Sequence, residues 1–548
     1  MSDCDQIQEP YLKDLEYRGF IQGLTIKAKA TGKPLCHYFG GIPYALPPKG
    51  DFRWRMPRPL APCYRYGTRS EPGLFNKRVS ICPQPAPGRD EGPEVDEDCL
   101  QCNIWVPTTP APKGGFPVLF YIHGGFLQLG SANDIVPTSL LSETDCKCVI
   151  VMPGYRLNVF GFMASYELQT EAQSNREPVG NYGFWDQRLA LEWTHKNVSY
   201  FGGNPGNITV AGYSAGAHSV FKQLAYDLYL PREKALIRRA VMWSNGPGLQ
   251  PTSLEETQDQ FEELVAQVGI PAALPAAWKL RELRKLPAKT LVAALNSIRK
   301  HQFRAVTDGV FVRGDVWADL EGGGFAARML DRGVELMMGE CRDEHFVYGS
   351  FRPPHNDLGS LAVRLNADYP AAAVEALVPH YFPGDELPAK YKDWLDAYGR
   401  VYADVQIYAL ERGLVDVLWR TGAGHLVKRY RVEWRARCMD AVVPKEWGVT
   451  HTTDLAIWFW GADIGKGLDS EEQRIVQQAF VSPFAQFLKG EDMAWENEGP
   501  KQVRRLDSDG NVGSWEDATW EEDLAICDVL QVRAGVRSRV GDKNAAKL

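Results

Sequence analysis

The chain has 548 residues, 44% of them hydrophobic and 24% charged, with a net charge of −8 and a pI near 5.8. This is ordinary globular composition, in a chain long enough to bury a sizeable core. It excludes a nucleic-acid binder of the basic-stripe kind: there is no strongly basic block, and aromatic residues do not alternate with Arg or Lys.

In chain order, Met1 to Leu15 is polar and carries Asp3, Asp5, Glu9 and Asp14. It has neither the basic nor the apolar segment of a signal peptide, so an intracellular protein is expected. Short apolar runs follow between dense Gly and Pro punctuation: Gly19–Thr25, Val118–Ile122, Val149–Met152 and Ile208–Ala211. These read as buried or half-buried strands. The most apolar stretches, Phe116–Ile122 and Cys148–Met152, are far too short to cross a bilayer. Trp185–Asn197 carries Leu189, Ala190, Leu191 and Trp193 and suits a helix, so strand, helix and strand imply a parallel crossover.

From about residue 251 the texture changes. Ser253-Leu-Glu-Glu256 is a capping-box pattern, with Phe261, Leu264, Val265 and Val268 following at helical spacing. Residues 276–300 and 357–425 also read as mainly helical. A further helix begins near Ser470, with Pro483 placed to kink it. Leu506–Val512 contains a Gly-Asn turn signal and reads as a late hairpin. Without repeats or low-complexity linkers, 1–548 reads as a single unit, with a helical region at about 251–425 over the site. The polar tail at 541–548 ends Ala546-Lys547-Leu548, close to the Ser-Lys-Leu peroxisomal address. Peroxisome or cytoplasm is the expected location.

Eleven cysteines at irregular spacing argue against a disulfide framework. Cys99-x-x-Cys102 has no second pair and no nearby histidine to complete a zinc site, so no metal is expected.

The chemistry is carried by residues 201–216, which end in Gly212-Tyr-Ser-Ala-Gly216 after the strand Ile208–Ala211 and before a helical stretch from Ala215 to Ala225. Strand, Gly-x-Ser-x-Gly and helix make the sharp turn that lifts a serine oxygen clear of a sheet. A Cβ at either flanking glycine would meet strand or helix, and the helix start favours developing negative charge. Ser214 is the candidate nucleophile. A second strand, Val118–Ile122, ends in His123-Gly124-Gly125-Phe126. The N–H groups of Gly124, Gly125 and Ala215 are the candidate oxyanion hole, where preset donors contribute about 3–4 kcal/mol each. A serine needs an imidazole base, and that base needs a carboxylate. Asp343 and Glu344 follow a strand end, and His345, His355, His380, His425 and His451 lie downstream of these carboxylates. Spacing does not choose among the histidines.

Four segments carry a resemblance: Phe201–Gly216, Glu97–Pro107, His123–Phe126 and Asn181–Gln187. The chain resembles the type-B carboxylesterase/lipase family, which includes the cholinesterases, from about Gly19 to Phe487. The resemblance implies an α/β-hydrolase fold: a large, mostly parallel twisted sheet flanked by helices, with helical insertions over the active site. It implies Glu344 as triad acid, His451 as base, no cofactor, and a small-molecule ester as substrate. Cys82 and Cys99 match a family disulfide. The chain departs from the pattern at Tyr213, where the family has Glu, and at His345, where it has Gly. The loop from Cys82 to Cys99 holds no Trp, which argues against choline esters. The leading expectation is ester hydrolysis through an acyl-serine. Acyl transfer or lactone opening by the same triad, and a non-catalytic binding protein of this fold, are the alternatives. Oligomeric state is left open.

Overall fold

The computed structural model describes residues 6–85, 94–462, 464–495 and 497–530. The polar tail at 541–548, with its Ala546-Lys547-Leu548 ending, lies outside the described residues. Twelve strands form the path of one sheet: β1 (Gln6–Asp14), β2 (Phe20–Ala28), β3 (Pro34–Pro43), β4 (Gln101–Pro107), β5 (Phe116–Ile122), β6 (Val149–Pro153), β7 (Gly203–Tyr213), β8 (Arg239–Trp243), β9 (Glu335–Cys341), β10 (Val427–Val432), β11 (Gln502–Leu506) and β12 (Val512–Glu516). Their order is β1-β2-β3-β4-β6-β5-β7-β8-β9-β10-β11-β12, and a two-residue strand at Gly73–Leu74 flanks β2. From β6 through β11 every pairing is parallel, whereas β1 to β4 and the final hairpin are antiparallel.

The central strands are buried on both faces, as parallel strands must be. Val118, Phe120 and Ile122 of β5 join one core with Val210 and Met242; Leu119 and Tyr121 join the other with Ala211, Trp243 and Trp458. Alternation along each strand therefore feeds two apolar layers rather than one apolar and one wet face.

The four sequence-predicted strands all form, extended at their ends. The helix read at Trp185–Asn197 is α1 (Tyr182–Asn197), and the one after Ser214 is α2 (Ala215–Tyr229). The crossover skips a strand: β6 and β7 are parallel, but β5 lies between them. The Ser253 capping box is made in full, with Glu256 N–H donating to Ser253 Oγ at 3.3 Å and Ser253 N–H to Glu256 Oε2 at 2.7 Å. The helix from Ser470 does not break at Pro483. It widens into a π-helical turn at Gln477–Val481, one turn before the proline, and resumes at Ser482–Lys489, while Arg504 donates to the carbonyls of Gln478 and Ala479 at 3.1 and 2.8 Å. The late hairpin is β11–β12, with Leu506 opposite Val512. Among the described residues no helix is long and apolar enough to cross a membrane.

Candidate active site

Ser214 sits at the junction of β7 and α2 with φ 56° and ψ −123°, a conformation an L-residue adopts only when its surroundings enforce it. Close packing of the flanks does the enforcing. A Cβ on Gly212 would lie 2.3 Å from the carbonyl of Gly216, and a Cβ on Gly216 would lie 2.0 Å from Ile122 O at the end of β5. The backbone holds the bend through Ser214 N–H to Trp243 O at 2.9 Å.

Beside it runs the loop after β5. A Cβ on Gly124 would lie 2.7 Å from Tyr213 O and 3.0 Å from the Ser214 Cβ. Gly125 has φ +102°, and a Cβ there would strike Leu129 O. Gly125 O accepts from the N–H groups of Gln128 and Leu129, both at 2.9 Å. The N–H groups of Gly124, Gly125 and Ala215 find no acceptor among the described residues, so three unspent donors lie around the serine.

Adjacent carboxylates at the end of β9 divide their work. Asp343 Oδ2 accepts from Val449 N–H at 2.9 Å, and Asp343 N–H returns a bond to Val449 O, also at 2.9 Å. These two bonds pin the loop that carries His451. Glu344, fully buried, accepts from Cys341 N–H through Oε1 at 2.8 Å and meets His451 Nδ1 through Oε2 at 2.6 Å. An ionised carboxylate only accepts, so in this pairing Nδ1 carries the proton and Nε2 the lone pair. His355, His380 and His425 are exposed. The His345 ring lies 4.1 Å from that of Phe346, tilted by 33°; burial and the Arg400 charge lower its pKa to about 4, which keeps it neutral.

The His451 ring lies between two phenols, Tyr213 and Tyr348, each with its ring centroid 4.9 Å away. The Tyr213 hydroxyl accepts a hydrogen bond from Thr452 N–H. The Tyr348 hydroxyl lies 3.5 Å from His451 Nε2. Burial holds the Tyr348 phenol well above its ordinary pKa, Glu344 pushes the same way, and a hydrogen bond with Ser214 pulls it back. Tyr348 thus stands between Ser214 and His451, which make no direct hydrogen bond to each other. A second buried carboxyl, Asp454, accepts from Trp458 Nε1 at 3.0 Å; burial and the neighbouring Glu344 push its pKa up to about 6. Tyr348 and Asp454 went unread in the sequence. Tyr348 is four residues past Glu344, a helical turn whose direction is set only by packing.

Ser214 opens onto a cavity of about 80 Å³, lined among others by Phe126, His218, Asn245, Arg304, Tyr348 and Tyr402. Pockets for drug-sized ligands run to roughly 300–1,000 Å³. Cys82 and Cys99 are free thiols in contact, and the hydrogen bond between them together with burial keeps Cys99 well above its ordinary pKa. Among the described residues no group of three or more His, Cys, Asp or Glu is arranged to hold a metal ion.

The model of the carboxylesterase family matches residues 12–522. A carboxylic ester hydrolase of Gibberella moniliformis (strain M3125 / FGSC 7600) is 46% identical over 546 residues, 98% of this chain and 99% of the relative. An uncharacterized esterase/lipase of Schizosaccharomyces pombe is 38% identical over 532 residues, 94% of this chain and 96% of the relative. The crystal structure of Aspergillus niger EstA superposes with a TM-score of 0.74 at 22% identity, covering 95% of this chain and 98% of that one. The chain therefore belongs to the carboxylesterase family and is a carboxylic-ester hydrolase of the α/β-hydrolase fold.

Proposed function

We propose that the chain cleaves a small or medium-sized ester through an acyl-Ser214 intermediate. The observation that carries this reading is the 2.6 Å bond from Glu344 to His451 Nδ1, made beside a serine on a strained bend. In the proposed cycle His451 Nε2 takes the Ser214 proton as the oxygen attacks the ester carbonyl. Glu344 holds the tautomer and stabilises the imidazolium that forms. The N–H groups of Gly124, Gly125 and Ala215 receive the oxyanion. His451 then protonates the leaving alcohol, and water repeats the sequence on the acyl-enzyme. In the resting state the Tyr348 hydroxyl rests on Nε2. Resting-state hydrogen bonds at such sites are commonly long and tighten when substrate arrives, so the Ser214 oxygen has only to exchange the phenol for the imidazole.

The test is labelling with a fluorophosphonate probe, alongside hydrolysis of p-nitrophenyl esters of graded chain length. Wild-type protein is expected to label at Ser214 and to favour short acyl chains, given the small cavity. Ser214→Ala is expected to lose labelling and turnover together. Undiminished turnover in that variant would overturn the reading.

A further inference from the structure

At one wall of the cavity at Ser214, two guanidinium groups face a single carboxylate. Asp368 is the one carboxylate among its lining residues, and two guanidinium groups share it: Arg304, which also lines the cavity, and Arg364 behind it. Arg364 is 5% exposed, and its Nη2 has no hydrogen-bond partner among the described residues. One positive charge is therefore left over at the wall. Arg304 keeps 22% of its side chain open. Its Nε donates to Asp368 Oδ1 at 2.8 Å and its Nη1 to Phe126 O at 2.5 Å, while Nη2 is taken by Asp368 and Gln302. A second Nη1 hydrogen remains unspent.

The opposite lining adds donors of its own. Asn245 Oδ1 accepts from Gly246 N–H at 2.7 Å and from Gln406 Nε2 at 3.1 Å. Those two bonds fix the amide orientation, and both Nδ2 hydrogens are left without an acceptor among the described residues. His218, one turn along α2 from Ser214, is also in the lining; burial first and then the Lys222 charge hold its pKa well below the ordinary value, so the ring adds no charge. A cation with a spare N–H, an amide with two, and no free carboxylate form a receptor for a small anion within one substrate's length of the nucleophile.

We propose that this cavity reads a carboxylate carried by the ester's acid or alcohol portion, with Arg304 and Asn245 as its donors. The proposal rests on the assignment of Ser214 as nucleophile. Its rival is a purely structural Arg304, since the bond to Phe126 O also supports the loop that holds Gly124 and Gly125.

Two isosteric pairs separate these readings, with turnover followed by pH-stat. Monoethyl succinate against ethyl succinamate places the charge on the acid side, and acetoxyacetate against acetoxyacetamide places it on the alcohol side. For the wild type, kcat/KM is expected to favour the carboxylate at least tenfold in one pair. Arg304→Met is expected to bring that ratio to near one, whatever it does to the absolute rates, and Arg304→Lys to restore part of it. A structural arginine would lower both members of a pair alike. Wild-type ratios near one in both pairs, or a preference unmoved by Arg304→Met, overturn the proposal. If the methionine variant fails to fold, the wild-type ratios and the lysine variant decide. If no ester is cleaved the proposal also falls; fluorophosphonate labelling of Ser214 then locates the failure in the charge reading, and absent labelling locates it in the nucleophile assignment.

Discussion

Tyr213 takes the place of the glutamate that the family usually has before its serine. Its hydroxyl is the acceptor for Thr452 N–H, and Thr452 is a β-branched residue held at φ 83° directly after His451. Such a backbone persists only where its neighbours over-determine it. Tyr213→Phe removes the acceptor and keeps the ring. It is expected to destabilise the fold by about 1–3 kcal/mol, the cost of one unpaired buried donor. It should also lower kcat while KM moves little, because the imidazole loses its fixed position. Chemical denaturation and steady-state kinetics measure both, and a variant with wild-type stability and kcat would refute the role. Sequence marked this position as a departure but could not say what replaced the carboxylate. The partner lies 239 residues away.

The elbow between β7 and α2 is the most legible element of the chain, because its requirements fall within five residues. Gly212 and Gly216 have ordinary φ values; what they permit is close approach of helix to sheet. Gly216→Ala puts a methyl group 2.0 Å from Ile122 O, and only separation of α2 from β5 relieves that. The expected loss is about 3 kcal/mol or more, in the range reserved for core overpacking and backbone strain. Thermal denaturation together with loss of fluorophosphonate labelling would register it. Normal labelling and an unchanged melting temperature would show that the packing argument is wrong. Boundaries were less legible than existence: local propensity gave the cores of β7 and α1, whereas the sheet extended β7 from Gly203 to Tyr213 by pairing it with β5 and β8.

At the scale of the molecule, a buried ionic cluster ties distant segments together. Glu340 at the end of β9 meets Arg412 of α3 (Leu410–Arg420) and Arg431 of β10. Arg412 also reaches Asp517, just past β12, and Asp523 of α4 (Trp520–Val529); Arg429 pairs with Asp517. With Glu411, four carboxyls face three guanidiniums, so one carboxyl is in excess. Both Glu411 oxygens are buried without a hydrogen bond among the described residues, and burial followed by the Glu340 charge pushes its pKa up to about 8. An acid whose pKa is raised by folding binds its proton more tightly folded than unfolded. Its contribution to stability is therefore present at low pH and lost as pH climbs from the unfolded value, about 4.3, through the folded one. Glu411→Gln removes that loss. The variant should gain on wild type with rising pH between those limits, by up to about 1.4 kcal/mol per unit. Denaturant titrations at pH 5 and pH 8 read the difference, and a variant-minus-wild-type stability that stays flat or falls between them contradicts the assignment.

Sequence by itself determined the sharp turn at Ser214, the glycine loop beside it and the strand-helix-strand rhythm, because each depends on sterics and periodicity within a few neighbouring residues. It did not distinguish His451 from four other histidines downstream of the carboxylates on spacing, nor reveal Tyr348 beside it or the two guanidiniums sharing Asp368. Those depend on which loops meet across the top of the sheet. Glu344 and His451 are 107 residues apart in the chain and 2.6 Å apart in space, and only β9 and β10 lying side by side bring their loops to the same place.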